Sequence, residues 1–488
     1  MQNYSELLRH WKKIEVLRST VGVLHWDMET YMPDGSIGLR QEQLSLAAQL
    51  EHSWVNDKNF TETILSDKVT PQNAIEKRNL ALWKKGILVS SSIDTKLLDR
   101  FTRVSSECNH KWRSAKANSN FSEVKDLLKE LVDLSREQLQ RIKANPALKE
   151  LYADKSLYEI SFDQYEPGMP LAEMQTLLSD LCEETKKKLP QYIENTKKRA
   201  ELKPINTQLI NRDFCEALMR TIGFDFNHGR LDSSAHPFSG GYPGDVRITV
   251  RKESQDPLED LLSTLHEVGH ALYEQGLPAE TIYEPSGKHC SMGVHESQSR
   301  FIENIIGRSQ AFCDSIASKL ETGSENLFNA LNPLKIGFIR VDSDEVTYNL
   351  HIMLRFEIER DLMEGKLEVK DLPERWNSRF KELMGLTVEK DSLGCLQDTH
   401  WYSGAFGYFP SYSLGNMFSA ELFAEFKKTH PDWEDRVRKG ELKFVRDFMA
   451  QKVYPLAFHY DSPECMHKII GRKVSEKALL NYFDSKFG

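Results

Sequence analysis

The sequence predicts a mainly α fold with one small β-sheet, and three observations carry that prediction. Apolar residues recur at helical spacing through the first two hundred positions. The stretch 256–276, DPLEDLLSTLHEVGHALYEQG, has the ends and apolar face of an amphipathic helix and bears two histidines one turn apart. Just upstream, 245–251 (DVRITVR) alternates apolar and polar residues with a period of two, the mark of a strand.

In chain order, the opening MQNYSELLRHWKKIEV is amphipathic and charged, unlike a secretory signal. Residues 24–33, LHWDMETYMP, read as a helix terminus packed by Trp26 and Tyr31 before a turn. Leu44, Ala47, Ala48 and Leu50 carry one helix. Val124, Leu127, Leu128, Leu131 and Leu134 carry another, started by Ser122. Leu171, Met174, Leu177, Leu178 and Leu181 mark a third behind Pro170. No repeat or long Gly/Ser linker interrupts the chain. The expectation is one domain over 1–488, in which residues 1–200 are helical and residues 201–488 carry the chemistry. Between 223 and 251 the Gly-, Pro- and Ser-rich GRLDSSAHPFSGGYPG reads as loop. The strand that follows is expected to be a sheet edge on which an extended peptide could lie, with Arg247 and Thr249 on one face.

The helix at 256–276 holds the chemistry. Asp256 can cap it, Pro257 suits its first turn, Glu259 stands three beyond the cap, and Gly276 supplies a stop. Leu258, Leu261, Leu262, Leu265, Leu272 and Tyr273 form the inward face. His266 and His270 lie on one side of it, so two neutral imidazoles can share one Zn²⁺. Glu267 beside them can take a proton from water polarised by the metal. This is the HExxH pattern of zinc peptidases. A third ligand is needed, and Glu296, His289 and His295 are all candidates by spacing. They lie at the loop 286–293 and in VHESQSRFIENIIG, whose Ile302, Ile305 and Ile306 suggest a helix. Residues 336–363 read as one long helix with Arg340, Asp344, Glu345 and Tyr348, the charges on its wet face. Residues 394–401 (GCLQDTHW) and the aromatic loop GAFGYFPSYSLGN bring His400, Tyr408 and Tyr412 as candidates to reach a site.

Composition narrows the function further. With 488 residues, 40% hydrophobic and 28% charged, the chain has ample material for a core. A net charge of −9 without a basic stripe argues against a nucleic-acid partner, and no apolar run reaches membrane-span length. Seven cysteines, an odd number without paired spacing, suggest reduced thiols and a cytoplasmic setting, with Cys290 and Cys395 as small buried side chains.

Six ordered blocks carry a family resemblance: HPF at 236–238, DxRxT at 245–249, HExxH at 266–270, HESQ at 295–298, IRVDSD at 339–344 and GxxQDxHW at 394–401. The chain resembles the carboxypeptidase Taq family of zinc metallocarboxypeptidases over nearly its whole length. Ser343 stands where that family usually has alanine, and Asp342 where glutamate is common. The resemblance implies a helical fold like that of neurolysin and angiotensin-converting enzyme, with a long substrate groove, and commonly a homodimer. It implies His266, His270 and Glu296 as ligands of Zn²⁺, with Co²⁺ able to substitute. It implies stepwise removal of C-terminal residues from peptides with a free C-terminus, with broad specificity. His400, Tyr408 and Tyr412 match, in order, a His and two Tyr that bind and polarise the peptide in related helical zincins.

On this reading Glu267 is the base, and Tyr412, His236 and His400 are candidates to stabilise the oxyanion. An exopeptidase acting at C-termini must recognise a carboxylate, which suits the bidentate fork of arginine. Arg247 and Arg340 are the two arginines inside motif blocks and are expected to share that role, with Tyr408 also touching substrate. Two alternatives remain: an oligopeptidase or dipeptidase on the same scaffold, and a catalytically inactive helical interaction protein.

Overall fold

In this structure, a computed structural model, the chain is described over residues 3–234, 237–251 and 256–488. It is mainly helical with one three-stranded sheet, as the sequence predicts. The chain divides into two units, each assembled from three separate segments. Unit 1 is Met1–Ile87, Ala200–Asn332 and Phe418–Lys473; unit 2 is Leu88–Arg199, Pro333–Met417 and Val474–Gly488.

Unit 1 opens with the helix Tyr4–Thr30, capped by the Asn3 side chain on the Glu6 N–H at 3.0 Å. Leu7 on this helix packs with Phe60, Ile64, Trp83 and Ile87. The far end of the helix meets the sheet. Trp26 is buried and its Nε1 donates to Asp232 at 2.9 Å, and the Tyr31 hydroxyl donates to the same carboxylate at 2.5 Å. Tyr31 is otherwise 58% exposed, so Trp26 is the buried ring of the pair while Tyr31 is tied through its hydroxyl and lies under Arg230. The helix Ile37–Val55 forms as expected, yet it buries Ala47 and leaves Leu46 and Leu50 exposed.

The sheet consists of β1 (Gly229–Ser234), β2 (Ser239–Tyr242) and β3 (Asp245–Arg251), in the order β1-β3-β2. Two expectations are corrected here. The Gly- and Ser-rich segment read as loop contains two strands, because its glycines serve close approach. A Cβ at Gly229 would stand 2.2 Å from the Val246 carbonyl oxygen, and Gly241 has φ +107°. The strand 245–251 is not an edge. Both its sides are hydrogen-bonded, parallel to β1 and antiparallel to β2, with Val246 and Ile248 buried.

The HExxH helix, Pro257–Gly276, packs against β3. The Asp256 side chain accepts the Leu258 and Glu259 N–H groups at 3.1 and 3.3 Å, and Leu261, Leu262, Leu265, Leu272 and Tyr273 are buried. Gly276 is its last residue but not the stop. The chain becomes extended at Leu277, before Pro278, which disfavours helix at the residue preceding it. Gly276 instead makes room for the Tyr454 ring, which a Cβ there would meet at 2.0 Å. The second helix of the site, Met292–Arg300, is capped by Ser291 on the Val294 N–H and runs into a π-helical turn, Phe301–Ile306. The two helices touch backbone to backbone at Gly269. A Cβ on Gly269 would lie 2.4 Å from both the Gln298 carbonyl oxygen and Ser299 Cα.

Unit 2 is helical throughout. Lys125–Ala144 buries Leu128, Leu131 and Leu134; it follows a short 3₁₀ turn capped by Asn120, so Ser122 is not its start. Leu171–Lys197 follows Pro170 and buries Met174, Leu177, Leu178 and Leu181. The long helix expected over 336–363 begins only at Tyr348. Before it, the Asp344 carboxylate accepts the Val346 and Thr347 N–H groups at 3.0 and 2.8 Å and the Thr347 hydroxyl at 2.7 Å, which fixes a turn instead. Arg340, Asp344, Glu345 and Tyr348 are all buried, so the wet-face reading is also corrected. All seven cysteines are buried, Cys290 and Cys395 among them.

Gly269→Ala is expected to lower the melting temperature, because its methyl group meets backbone and overpacking of this kind costs about 1–3 kcal/mol. It should also weaken zinc binding if His266, His270 and Glu296 are the ligands as expected, since the two helices that carry them are forced apart. Thermal melts of metal-free protein and a zinc titration check both; wild-type values in both would remove the close contact as a requirement.

Candidate metal centre

Three potential donors converge in unit 1. His266 and His270 extend from successive turns of the HExxH helix, and Glu296 comes from the helix Met292–Arg300. The two Nε2 atoms are 3.1 Å apart, and Glu296 Oε2 lies 3.8 Å from His266 Nε2 and 3.5 Å from His270 Nε2. Four tetrahedral ligands at the bond lengths usual for zinc, about 2.0–2.1 Å, stand about 3.3 Å from one another. The donor set therefore fits one small divalent cation by both its chemistry and its spacing. Of the candidates for third ligand, Glu296 stands with the two histidines, whereas His289 and His295 group separately with Glu274. Glu267 is half-buried on the same helix.

The surroundings orient the donors. Arg300 Nε donates to Glu296 Oε1 at 2.7 Å, which leaves Oε2 toward the imidazoles. His266 Nδ1 meets Glu303 Oε2 at 2.9 Å, and Arg300 and Arg308 also reach Glu303 at 3.2 and 3.3 Å. Burial alone would raise both carboxyls. Arg300 and the adjacent histidines outweigh it, holding Glu296 far below the usual carboxylate range and Glu303 at about 2. Burial also opposes the charged form of His266, yet the Glu296 charge and the Glu303 hydrogen bond raise its pKa on balance. On the other flank, His270 Nδ1 lies 2.5 Å from His295 Nδ1, and Glu274 Oε1 meets His295 Nε2 at 3.0 Å and His289 Nδ1 at 2.9 Å. Burial, with His270 next to it, lowers His295 to about 4, which keeps it neutral near pH 7.

Sequence reasoning did not single out Glu303, Arg300 or Glu274. Each had a helical signal: Glu274 stands four beyond His270, and Arg300 and Glu303 stand four and seven beyond Glu296.

Unit 2 brings together a second group of the expected residues. His400 Nε2 is 3.1 Å from the Tyr412 hydroxyl, and the Tyr408 and Tyr412 rings stand 5.2 Å apart. Arg340 donates through Nε and Nη2 to Asp398 Oδ1 at 3.0 and 2.7 Å and through Nη1 to the Tyr348 hydroxyl at 2.8 Å. Arg355, fully buried, donates to Asp398 Oδ2 at 2.7 Å. Burial, with Arg340 and Arg355 adding to it, lowers His400 to about 4 against the pull of Asp398. Arg247, in unit 1, is paired bidentately with Asp245 at 2.8 and 2.7 Å. Both arginines expected to bind substrate thus hold a carboxylate of the chain itself. His236 lies outside the described residues.

Among the described residues no helix is long and apolar enough to cross a membrane. Residues 6–487 match the model of the carboxypeptidase Taq (M32) metallopeptidase family. The chain is 32% identical to thermostable carboxypeptidase 1 of Thermus thermophilus, with 99% of this chain and 98% of that protein covered. It is 30% identical to thermostable carboxypeptidase 1 of Pyrococcus furiosus, with 100% and 98% covered. The crystal structure of M32 carboxypeptidase from Deinococcus radiodurans R1 superposes with a TM-score of 0.91 at 28% identity, covering 99% of this chain and 98% of that one.

The donor geometry predicts that Glu296→Ala lowers zinc affinity by at least about 100-fold, more than the 10- to 100-fold typical of losing an outer hydrogen-bond partner. Chelator competition on full-length protein measures it. Affinity retained in Glu296→Ala but abolished in His289→Ala would move the third ligand elsewhere.

Proposed function

The chain belongs to the carboxypeptidase Taq (M32) family of metallopeptidases, and on that premise we propose that it is a zinc carboxypeptidase that removes C-terminal residues from peptides with broad specificity. One observation carries the reading: two imidazoles and a carboxylate from two helices stand 3.1–3.8 Å apart, with Glu267 next to the first of them. His266, His270 and Glu296 would hold the metal, which when bound supplies the Lewis acidity that polarises a carbonyl and acidifies water. Glu267 takes the proton from that water and returns it to the leaving amine. Tyr412, paired with His400, offers a hydroxyl donor to the developing oxyanion, and Tyr408 contacts the peptide beside it. His236 belongs to the same proposal on the strength of its HPF block.

Carboxylate capture is assigned to Arg247 and Arg340, whose forks suit a free C-terminus. Their internal partners, Asp245 and Asp398, support a bracing role as well, and the two roles are separable by measurement. Homodimerisation and a cytoplasmic setting complete the proposal. The seven buried cysteines, odd in number, favour a reducing compartment, and light scattering on the purified chain tests the dimer.

Glu267→Gln should retain zinc and lose about 10²- to 10⁴-fold in turnover, because an amide cannot accept the proton. Metal analysis run beside a peptide-hydrolysis assay decides it, and near-wild-type turnover would remove Glu267 as the base. Incubation with a peptide ladder should yield products shortened stepwise from the C-terminus, read by mass spectrometry; internal cuts would favour an oligopeptidase, and no cuts by metal-loaded protein an inactive scaffold.

Arg247→Met and Arg340→Met should each weaken cleavage of free-acid peptides by roughly 30- to 1,000-fold in kcat/KM, and affect amidated peptides far less. The ratio of the two rates is the readout. Equal losses on both substrates, with a lowered melting temperature, would assign the arginines to bracing alone.

A further inference from the structure

Beside the three donors stands a second group of metal-ligating type, Glu274, His289 and His295, whose ligand atoms lie within 4.8 Å of one another. Its composition would suit a second cation. What decides the matter is the number of protons on the imidazoles. His270 turns Nε2 toward His266 and Glu296, so as a ligand it gives that lone pair to the metal and carries its one proton on Nδ1. That nitrogen is 2.5 Å from His295 Nδ1, which must then accept. The proton of neutral His295 is thereby on Nε2, 3.0 Å from Glu274 Oε1, and it is donated there. No lone pair remains on His295 Nε2 for another cation. A metal at that nitrogen would leave protons on both Nδ1 atoms, facing each other at 2.5 Å.

We infer that His295 and Glu274 are positioning residues, a hydrogen-bonded chain from carboxylate to imidazole to ligand that fixes the tautomer and ring direction of His270. The inference rests on the metal reading of the site proposed above. The two histidine ligands are thus held by different means. His266 meets its carboxylate, Glu303, directly, while His270 meets Glu274 through an intervening ring. His289 donates to the same Glu274 oxygen at 2.9 Å and helps to fix that carboxylate. The sequence builds this compactly: His266, His270 and Glu274 are spaced by four along one helix, and His295 directly precedes Glu296. Outer partners of this kind raise ligand basicity and orient the ring, and losing one costs about 10- to 100-fold in metal affinity.

The test uses the full-length chain with zinc and cobalt as probes. Zinc affinity by chelator competition should fall about 10- to 100-fold in His295→Ala and in Glu274→Gln, the second of which keeps side-chain shape and guards against misfolding. The visible absorption of the cobalt-loaded protein should change in both variants, a signature that a merely structural role would not move. Wild-type protein should bind one zinc per chain at this site. Two zinc ions per chain, with one lost in His295→Ala, would overturn the inference in favour of a second metal site. Unchanged affinity and an unchanged cobalt spectrum in both variants would overturn it outright. Glu296→Ala separates the levels: if it abolishes binding while His295→Ala and Glu274→Gln keep wild-type affinity and cobalt spectrum, only the positioning chain fails, and if it leaves binding intact, the metal reading itself fails.

Discussion

The closeness of two backbones at Gly269 is the constraint on which the site depends. The HExxH helix supplies two donors and the helix Met292–Arg300 supplies the third, and a small cation binds all three only if their functional atoms come within about 4 Å. Side chains as short as Glu and His cannot span the ordinary 8–10 Å between packed helices with arbitrary geometry. With no Cβ at Gly269, the Gln298 carbonyl and Ser299 Cα occupy the space where a side chain would stand. Residue 269 also lies between the two histidines, so the tightest point of the helix pair coincides with the place where the donors leave it.

Around that contact the charges turn one Glu296 oxygen to Arg300 and the other to the two imidazoles. Arg300 takes Glu296 through Oε1 and also reaches Glu303, which in turn receives Arg308 and His266. The buried acids stay ionised because each faces a cation or an imidazole N–H, and an ionised acid is what a metal requires. The π-helical turn Phe301–Ile306 contributes here, since Glu303 lies within it and still meets His266. Unit 2 uses a related device for a different end: Asp398 receives both Arg340 and Arg355 and so ties together stretches more than forty residues apart.

The metal helix was legible in the sequence almost to the residue, because caps, apolar stripe and histidine spacing agree on one period. The strand 245–251 was equally legible from its alternation. Its place in the middle of the sheet was not, because pairing partners are long-range and β1 and β2 are hidden in a Gly- and Ser-rich segment. Their glycines signal close approach and loop alike. The stretch before Tyr348 misled for a similar reason. Arg340, Asp344 and Glu345 have the composition of a wet helical face, and only their distant or backbone partners, Asp398, Thr347 and Tyr482, reveal them as buried. The third ligand was open by spacing among Glu296, His289 and His295. Resolving it requires knowing which face of the second helix turns inward, a tertiary fact; the family resemblance supplied the expectation of Glu296, and among the described residues Glu296 groups with His266 and His270 while His289 and His295 group with Glu274.

Unit 1 takes its last segment, Phe418–Lys473, from beyond the whole middle segment of unit 2. That segment completes the core behind the helices that carry the three donors: Tyr454 packs on Tyr273 and Gly276, and Phe426 on Phe301. During synthesis at about 5–20 residues per second, roughly 10 to 35 s separate the emergence of Glu296 from that of Lys473. The nascent chain therefore displays His266, His270 and Glu296 well before unit 1 can be completed. On the metal reading proposed above, all three donors are available before unit 1 is complete, so filling of the site and folding of the unit overlap in time.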